Sequence, residues 1–190
     1  MNFSAVILAG GQSRRMGRDK AFLEIDGKTL LARQLETVRV AGAAEMFISG
    51  RVDADYSAFG CRVLPDQFTD AGPLAGVEAA LAVATNPLLL VLAVDLPGIT
   101  AKLLFQLKAG CPEKAGAIPR VGKNLEPLAA FYPKTARPIA EKRLRHHDCA
   151  VKDFADECVQ SGLAQFVDFP LADAIHFKNY NSPADLPCPV

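Results

Sequence analysis

The chain has 190 residues, half of them hydrophobic, and its 21 lysines plus arginines balance 21 aspartates plus glutamates. That length fits one domain with a sizeable core, and without a basic stripe the chain is not expected to bind nucleic acid. Five cysteines are scattered and never spaced C-x-x-C, which argues against a disulfide framework or a zinc site and for free thiols in a reducing compartment. No signal peptide opens the chain, and its longest apolar run, residues 87–94, is too short to cross a bilayer. The expectation is a cytoplasmic protein with no membrane partner.

Residues 4–8 form an apolar run opening into Ala9-Gly10-Gly11, the pattern of a buried strand followed by a loop. Residues 22–25 with Asp26-Gly27 predict a short strand and a tight turn. Thr29 can cap a helix running to about residue 41, with Leu30, Leu31, Leu35 and Val38 on one side. Strands are expected at 46–49 and 61–64, and Gly72-Pro73 introduces an alanine-rich helix over 74–84. Residues 88–94 are continuously apolar, as in a central parallel strand, and Asp95 stands at its end. A helix at 101–109 precedes strands at 115–118 and 128–132, which flank a turn near Gly122. Helices follow at 135–144 and 151–158, short extended pieces near Phe166 and Ile175, and a last short helix at Ser182-Pro183.

Strand and helix alternate to about residue 110, arguing for right-handed crossovers and a parallel sheet, while the hairpin-like second half adds an antiparallel strand and a small flap. The expected fold is a single-domain, Rossmann-like three-layer α/β sandwich with a mostly parallel sheet and one antiparallel strand. Ligands bind outside the carboxyl ends of such strands. Residues 9–19, Pro65-Asp66 and Asp95 all fall at that edge.

Residues 8–20 read Leu-Ala-Gly-Gly-Gln-Ser-Arg-Arg-Met-Gly-Arg-Asp-Lys. Glycines let backbone N–H groups approach a phosphate, arginines fork onto its oxygens, and a lysine adds a compact charge. This is not a Walker A loop, because Arg18-Asp19-Lys20 follows Gly17, nor is it G-x-G-x-x-G. Asp95, at a strand end beside this loop, is placed to bind Mg²⁺ together with phosphate oxygens; capping the turn at Pro97-Gly98 is its other use. Gly72 and Gly76 bracket a helix start that can face an anion, and packing alone explains them as well. Asn179 and Asn181 alternate at period two, so in an extended segment both face one site; a phosphate, a ribose, a metal or a plain turn would suit them. His146 and His147 diverge and lack a third ligand, and His176 is isolated.

The string L-A-G-G-x-S-x-R-M-G-x-D-K resembles the signature of the nucleoside-triphosphate transferase superfamily, and its LAGG form is similar to the molybdenum cofactor guanylyltransferase (MobA) branch. Three further segments resemble that family in order. They are Gly72-Pro73-Leu74-Ala75-Gly76, Asp95-Leu96-Pro97, and Asn179-Tyr180-Asn181-Ser182-Pro183-Ala184-Asp185. The likeness runs from residue 4 to about 186. It implies transfer of GMP from GTP to molybdopterin, with pyrophosphate released and Mg²⁺ as cofactor.

The resemblance also implies a nucleotide-binding half at about 1–110 and an acceptor-binding half at about 111–190. Leu8, Ala9, Gly10, Gly11 and Asp66 would then hold GTP, and Asp95 the metal. Lys20 and Arg14 would offset triphosphate charge, while Asn179 and Asn181 would face the acceptor. Proteins that insert molybdenum or deliver the cofactor would be transient partners. Arg137, Lys142, Arg143 and Arg145 form either a solvated helix face or a docking place for the pterin phosphate. Glu126 departs from the family, whose members often carry glutamine or histidine before the proline. A cytidylyltransferase of the same cofactor, a sugar-phosphate nucleotidyltransferase and a non-catalytic nucleotide-binding module remain as alternatives. Lys20 and Asp95 argue against the last, since binding alone needs neither.

Overall fold

Thr29 ends a hairpin and begins a helix, and both roles follow from local chemistry. The computed structural model describes residues 2–10, 20–51, 53–65, 68 and 71–180. Within them β1 is Phe3–Leu8, and a 3-10 turn at Lys20–Phe22 leads to β2 (Glu24–Ile25) and β3 (Lys28–Thr29). Asp26 and Gly27 join these short strands at φ 50° and 70°, the left-handed pair that a two-residue hairpin turn demands. The Thr29 hydroxyl then accepts from Ala32 N at 3.2 Å, capping α1 (Leu30–Val40).

The chain continues through β4 (Glu45–Ser49), β5 (Arg62–Leu64), α2 (Pro73–Val83), β6 (Leu88–Ala93) and α3 (Ala101–Ala109). After these come β7 (Gly116–Val121), β8 (Asn124–Leu125), β9 (Ala129–Pro133), α4 (Arg137–Arg145), α5 (Val151–Gln160) and β10 (Ala164–Phe169). The main sheet runs β10-β7-β9-β6-β1-β4-β5. Neighbours are parallel except at β9, which opposes both β6 and β7; two-residue β8 pairs off the path, antiparallel to β7. This is the expected mostly parallel sandwich with one antiparallel strand in the path.

Period-two alternation sends side chains to two cores. Phe3, Ala5 and Ile7 of β1, with Leu88, Leu90 and Leu92 of β6, pack beneath α1 and α3. Val6 and Leu8, with Leu89 and Val91, pack beneath α2, α4 and α5. A strand buried on both faces reads as a continuous apolar run, which is why β1 and β6 stand out in the sequence.

Two expectations change in the last third. The extended piece near Phe166 is a full six-residue strand, β10, parallel to β7. The piece near Ile175 is not extended: Leu171–Phe177 is a 3-10 helix begun after Pro170. It buries only Phe177 and packs on the Pro97-Gly98 turn, where a Cβ on Gly98 would sit 2.8 Å from His176 O. The expected helix at Ser182-Pro183 lies outside the described residues. No helix among the described residues is long and apolar enough to cross a membrane.

Candidate active site

The carboxyl ends of β1, β4 and β6 meet at one edge, and main-chain bonds fix them together. Ala9 N and Gly10 N both donate to Ser49 O, at 2.7 and 3.0 Å, while Leu8 O accepts from Val94 N at 3.1 Å. Leu8 and Ala9 are buried and Gly10 is exposed, so the chain surfaces at the position expected to touch a base. Among the described residues, a Cβ on Gly10 would meet Gly50 and Ser49 O at 3.8 Å, ordinary contact distance, so no described atom requires glycine there.

Close packing behind this floor depends on two other glycines. A Cβ on Gly76 would lie 2.2 Å from Ser49 Oγ and 2.9 Å from Leu8 Cδ2, so only glycine lets α2 approach both strand ends. The packing reading of Gly76 therefore holds. A Cβ on Gly50 would lie 2.5 Å from the Tyr56 ring. That ring stacks on Phe22 with centroids 5.6 Å apart, and its hydroxyl accepts from Arg51 N at 3.1 Å. Gly72, ahead of Pro73 at the start of α2, adopts φ 63°.

Above the floor, Lys20 Nζ lies 3.1 Å from Asp95 Oδ2, and both side chains remain about one-fifth exposed, at 20% and 23%. Lys20 comes from the 3-10 turn that follows the glycine-rich loop, and Asp95 from the turn after β6. Residues 75 positions apart in sequence are thus brought into one ion pair. Tyr180 N donates to Asp95 O at 2.9 Å, which carries exposed Asn179 to the neighbourhood of Asp95. Gly11, Arg14, Asp66 and Asn181 lie outside the described residues.

The second half of the chain closes the same edge. Leu128 O accepts from Ala93 N at 2.8 Å, and the Tyr132 hydroxyl donates to Pro127 O at 2.9 Å. These bonds seat the Glu126-Pro127-Leu128 turn against the end of β6. Burial pushes the Glu126 carboxyl above its ordinary range.

Of the α4 cations, Arg137, Lys142 and Arg145 keep 42%, 68% and 69% of their side chains exposed, as a solvated face does, and Arg143 departs from it. Arg143, 12% exposed, pairs with Asp148 at 2.5 Å, Glu157 at 2.7 Å and Asp153 at 3.5 Å. Burial works against its charge, yet the Glu157 bond and the Asp148 and Asp153 charges hold it above its usual value. Lys142 meets Glu157, Arg145 meets Glu141, and Arg137 meets buried Glu78 at 2.9 Å. His146 and His147 form the exposed turn after α4, and His147 has φ 57°. The His176 ring nitrogen Nδ1 lies 2.9 Å from Gly98 O.

One residue of this edge escaped the sequence reading. Gln34 is 1% exposed, and its Nε2 donates to Leu96 O at 2.6 Å and Ala93 O at 3.4 Å, on either side of Asp95. The signal was a polar residue on the apolar stripe that buries Leu30, Leu31, Leu35 and Val38.

Among the described residues no three His, Cys, Asp or Glu side chains gather into a metal cage. A partly exposed carboxylate at a strand end, as Asp95 is, suits a hard cation that brings phosphate and water oxygens with it, as Mg²⁺ does. The arrangement can hold a base against Leu8–Gly10 and balance a polyphosphate with Lys20 and an Asp95-bound cation.

Comparison with known proteins agrees with this geometry. The chain is 40% identical over 185 residues to the "probable molybdenum cofactor guanylyltransferase" of Opitutus terrae, covering 96% of this chain and 92% of that one. It is 39% identical over 153 residues to the molybdenum cofactor guanylyltransferase of Pseudomonas aeruginosa, covering 76% and 75%. The fold matches the crystal structure of molybdopterin-guanine dinucleotide biosynthesis protein A from Archaeoglobus fulgidus. That match has TM-score 0.72 and 24% identity, covering 96% of this chain and 94% of that one. Residues 5–158 match the family model of the MobA-like NTP transferase domain, and the chain belongs to that family.

Proposed function

We propose that the protein transfers GMP from GTP to molybdopterin, forming the guanine dinucleotide cofactor and releasing pyrophosphate. The observation that carries this reading is the Lys20–Asp95 pair, 3.1 Å apart, standing over the Leu8–Gly10 floor in a chain 40% identical to a named guanylyltransferase. A phosphate monoester oxygen of the pterin attacks the α-phosphorus of GTP. The new P–O bond forms as the bond to the bridging oxygen breaks and pyrophosphate departs. That nucleophile is largely ionised at neutral pH, so the reaction needs positioning and charge neutralisation rather than a strong base.

In this reading Leu8, Ala9, Gly10 and Gly11 hold the base along the backbone, and Asp66 contacts the nucleotide. Asp95 is the carboxylate for Mg²⁺, which when bound neutralises phosphate charge and orients both reactants. Lys20 turns from Asp95 towards the triphosphate, and with Arg14 offsets the charge that builds on the leaving group. Asn179 and Asn181 face the acceptor. The nucleotide site belongs to residues 1–110 and the acceptor site to 111–190. The enzyme works in the cytoplasm and hands its product to proteins that insert molybdenum or deliver the cofactor.

Incubation with each labelled nucleoside triphosphate, Mg²⁺ and molybdopterin tests the reading. Labelled dinucleotide and pyrophosphate should form with GTP. Equal transfer from CTP would replace it with cytidylyl transfer, and no transfer from any triphosphate would leave a binding module.

A further inference from the structure

Gln34 occupies a place where packing alone asks for an apolar side chain. It is 1% exposed, on the face of α1 that also buries Leu30, Leu31, Leu35 and Val38. An amide enters such a core only where its polar atoms find partners. Here Nε2 donates to Leu96 O at 2.6 Å and reaches Ala93 O at 3.4 Å. Those carbonyls bracket Val94-Asp95, the two residues over which the chain turns out of β6.

The turn depends on outside support. Its own closing bond, Leu96 N to Ala93 O, is long at 3.4 Å. Val94 N is held by Leu8 O at 3.1 Å, and Asp95 O is held by Tyr180 N at 2.9 Å. Gln34 adds a side-chain brace, from within the core rather than from the rim, to the Ala93 and Leu96 carbonyls, the second of which also accepts from Ile99 N at 3.1 Å.

We propose that Gln34 is a positioning residue: by bracing the Ala93 and Leu96 carbonyls, it holds the Asp95 carboxylate in the orientation that receives Mg²⁺ with the triphosphate. The proposal rests on the reading of Asp95 given above. Partners that orient a metal-binding carboxylate typically change metal affinity by about 10- to 100-fold when removed. A residue that only packs would change stability and leave the metal's contribution intact.

Calorimetric titration of GTP, without acceptor, in Mg²⁺ and in EDTA separates these roles. Wild type should bind GTP more tightly in Mg²⁺. In Gln34→Met, which keeps the bulk and loses the donor, affinity in EDTA should stay within about twofold while the Mg²⁺-dependent gain falls about tenfold. Asp95→Asn should lose the gain, and adding Gln34→Met to it should cost nothing further, since the two act through one group.

All variants are measured well below their melting temperatures. Gln34→Leu, apolar and without a donor, carries the same expectation if the methionine variant does not fold. A Gln34→Met protein that keeps its full Mg²⁺ gain overturns the proposal. So does equal weakening in Mg²⁺ and EDTA, or failure of both variants to fold, since each leaves Gln34 a scaffold residue. A wild type that shows no Mg²⁺ gain sinks the Asp95 reading instead.

Discussion

Two ionic clusters in this molecule are built in opposite ways. At the sheet edge, Lys20 meets Asp95 with both side chains about one-fifth exposed. Behind the sheet, Arg143 is 12% exposed and gathers Asp148, Asp153 and Glu157, joining α4 to the turn beyond it and to α5. A partly exposed pair gains little net stability from its charges, so a ligand that takes either partner is not expected to unfold the chain. A guanidinium whose two terminal nitrogens meet three carboxylates is a clamp, although its buried Nε has no partner among the described residues. Charge at the edge is therefore exchangeable, and charge behind the sheet is structural.

That difference predicts what each substitution will do. Asp95→Asn should lower turnover about a thousandfold or more, because the metal's carboxylate is lost, while the melting temperature stays near wild type. Lys20→Ala should cost about a hundredfold in rate, the order seen when one charge-stabilising group is removed from a transfer site. It should also weaken triphosphate binding, and a melt showing gross unfolding without nucleotide would make Lys20 structural instead.

Gly10→Ala sharpens the comparison, since a methyl there meets protein only at 3.8 Å or beyond. No described residue would have to move, so an effect on base choice is expected to act through the ligand. Preference for GTP over CTP should shrink by about 10- to 200-fold, the value of one methyl group in a tight pocket. Competition of the two triphosphates for one acceptor pool reads it directly.

Arg143→Met should behave in the opposite sense, lowering stability by about 1–2 kcal/mol as half-buried Glu157 and the exposed Asp148 and Asp153 lose their partner. Transfer below its melting temperature should be unchanged. Loss of rate without loss of stability would show that α4 belongs to the acceptor site after all.

The smallest effect concerns Glu126, whose carboxyl burial pushes above its usual 4.5. Between 4.5 and the raised native value, the folded state binds more protons than the unfolded chain, so stability falls as pH rises through that window. The cost is fully present above the native value and absent below 4.5. Glu126→Gln should therefore melt slightly higher than wild type at pH 7, with the gap closing in acid. A gap that stays constant with pH would place its cause elsewhere.

Much of this was legible in the sequence where one local rule acts alone. Asp26-Gly27 dictated the hairpin, Thr29 the helix cap, and the apolar run before Asp95 the central strand. What was missed depends on partners that arrive from elsewhere. Arg143 reads as solvated until the turn after α4 brings Asp148, and α5 brings Asp153 and Glu157, around it. Strand β10 alternates buried Ala164 with exposed Gln165, a weak pattern that pairing with β7 makes regular. Leu171 and Ile175 are apolar yet 74% and 67% exposed, so their hydrophobicity misreports the 3-10 helix that carries them. Gln34 went unremarked within an amphipathic stripe, because its partners are main-chain carbonyls that carry no residue signature.

The most direct test of exchangeable against structural charge is transfer from α-labelled GTP to molybdopterin by wild type, Asp95→Asn and Arg143→Met. All three are compared at one temperature below every melting point. The account predicts labelled dinucleotide from wild type and Arg143→Met at similar rates, and about a thousandfold less from Asp95→Asn. An Asp95→Asn enzyme within tenfold of wild type would contradict it.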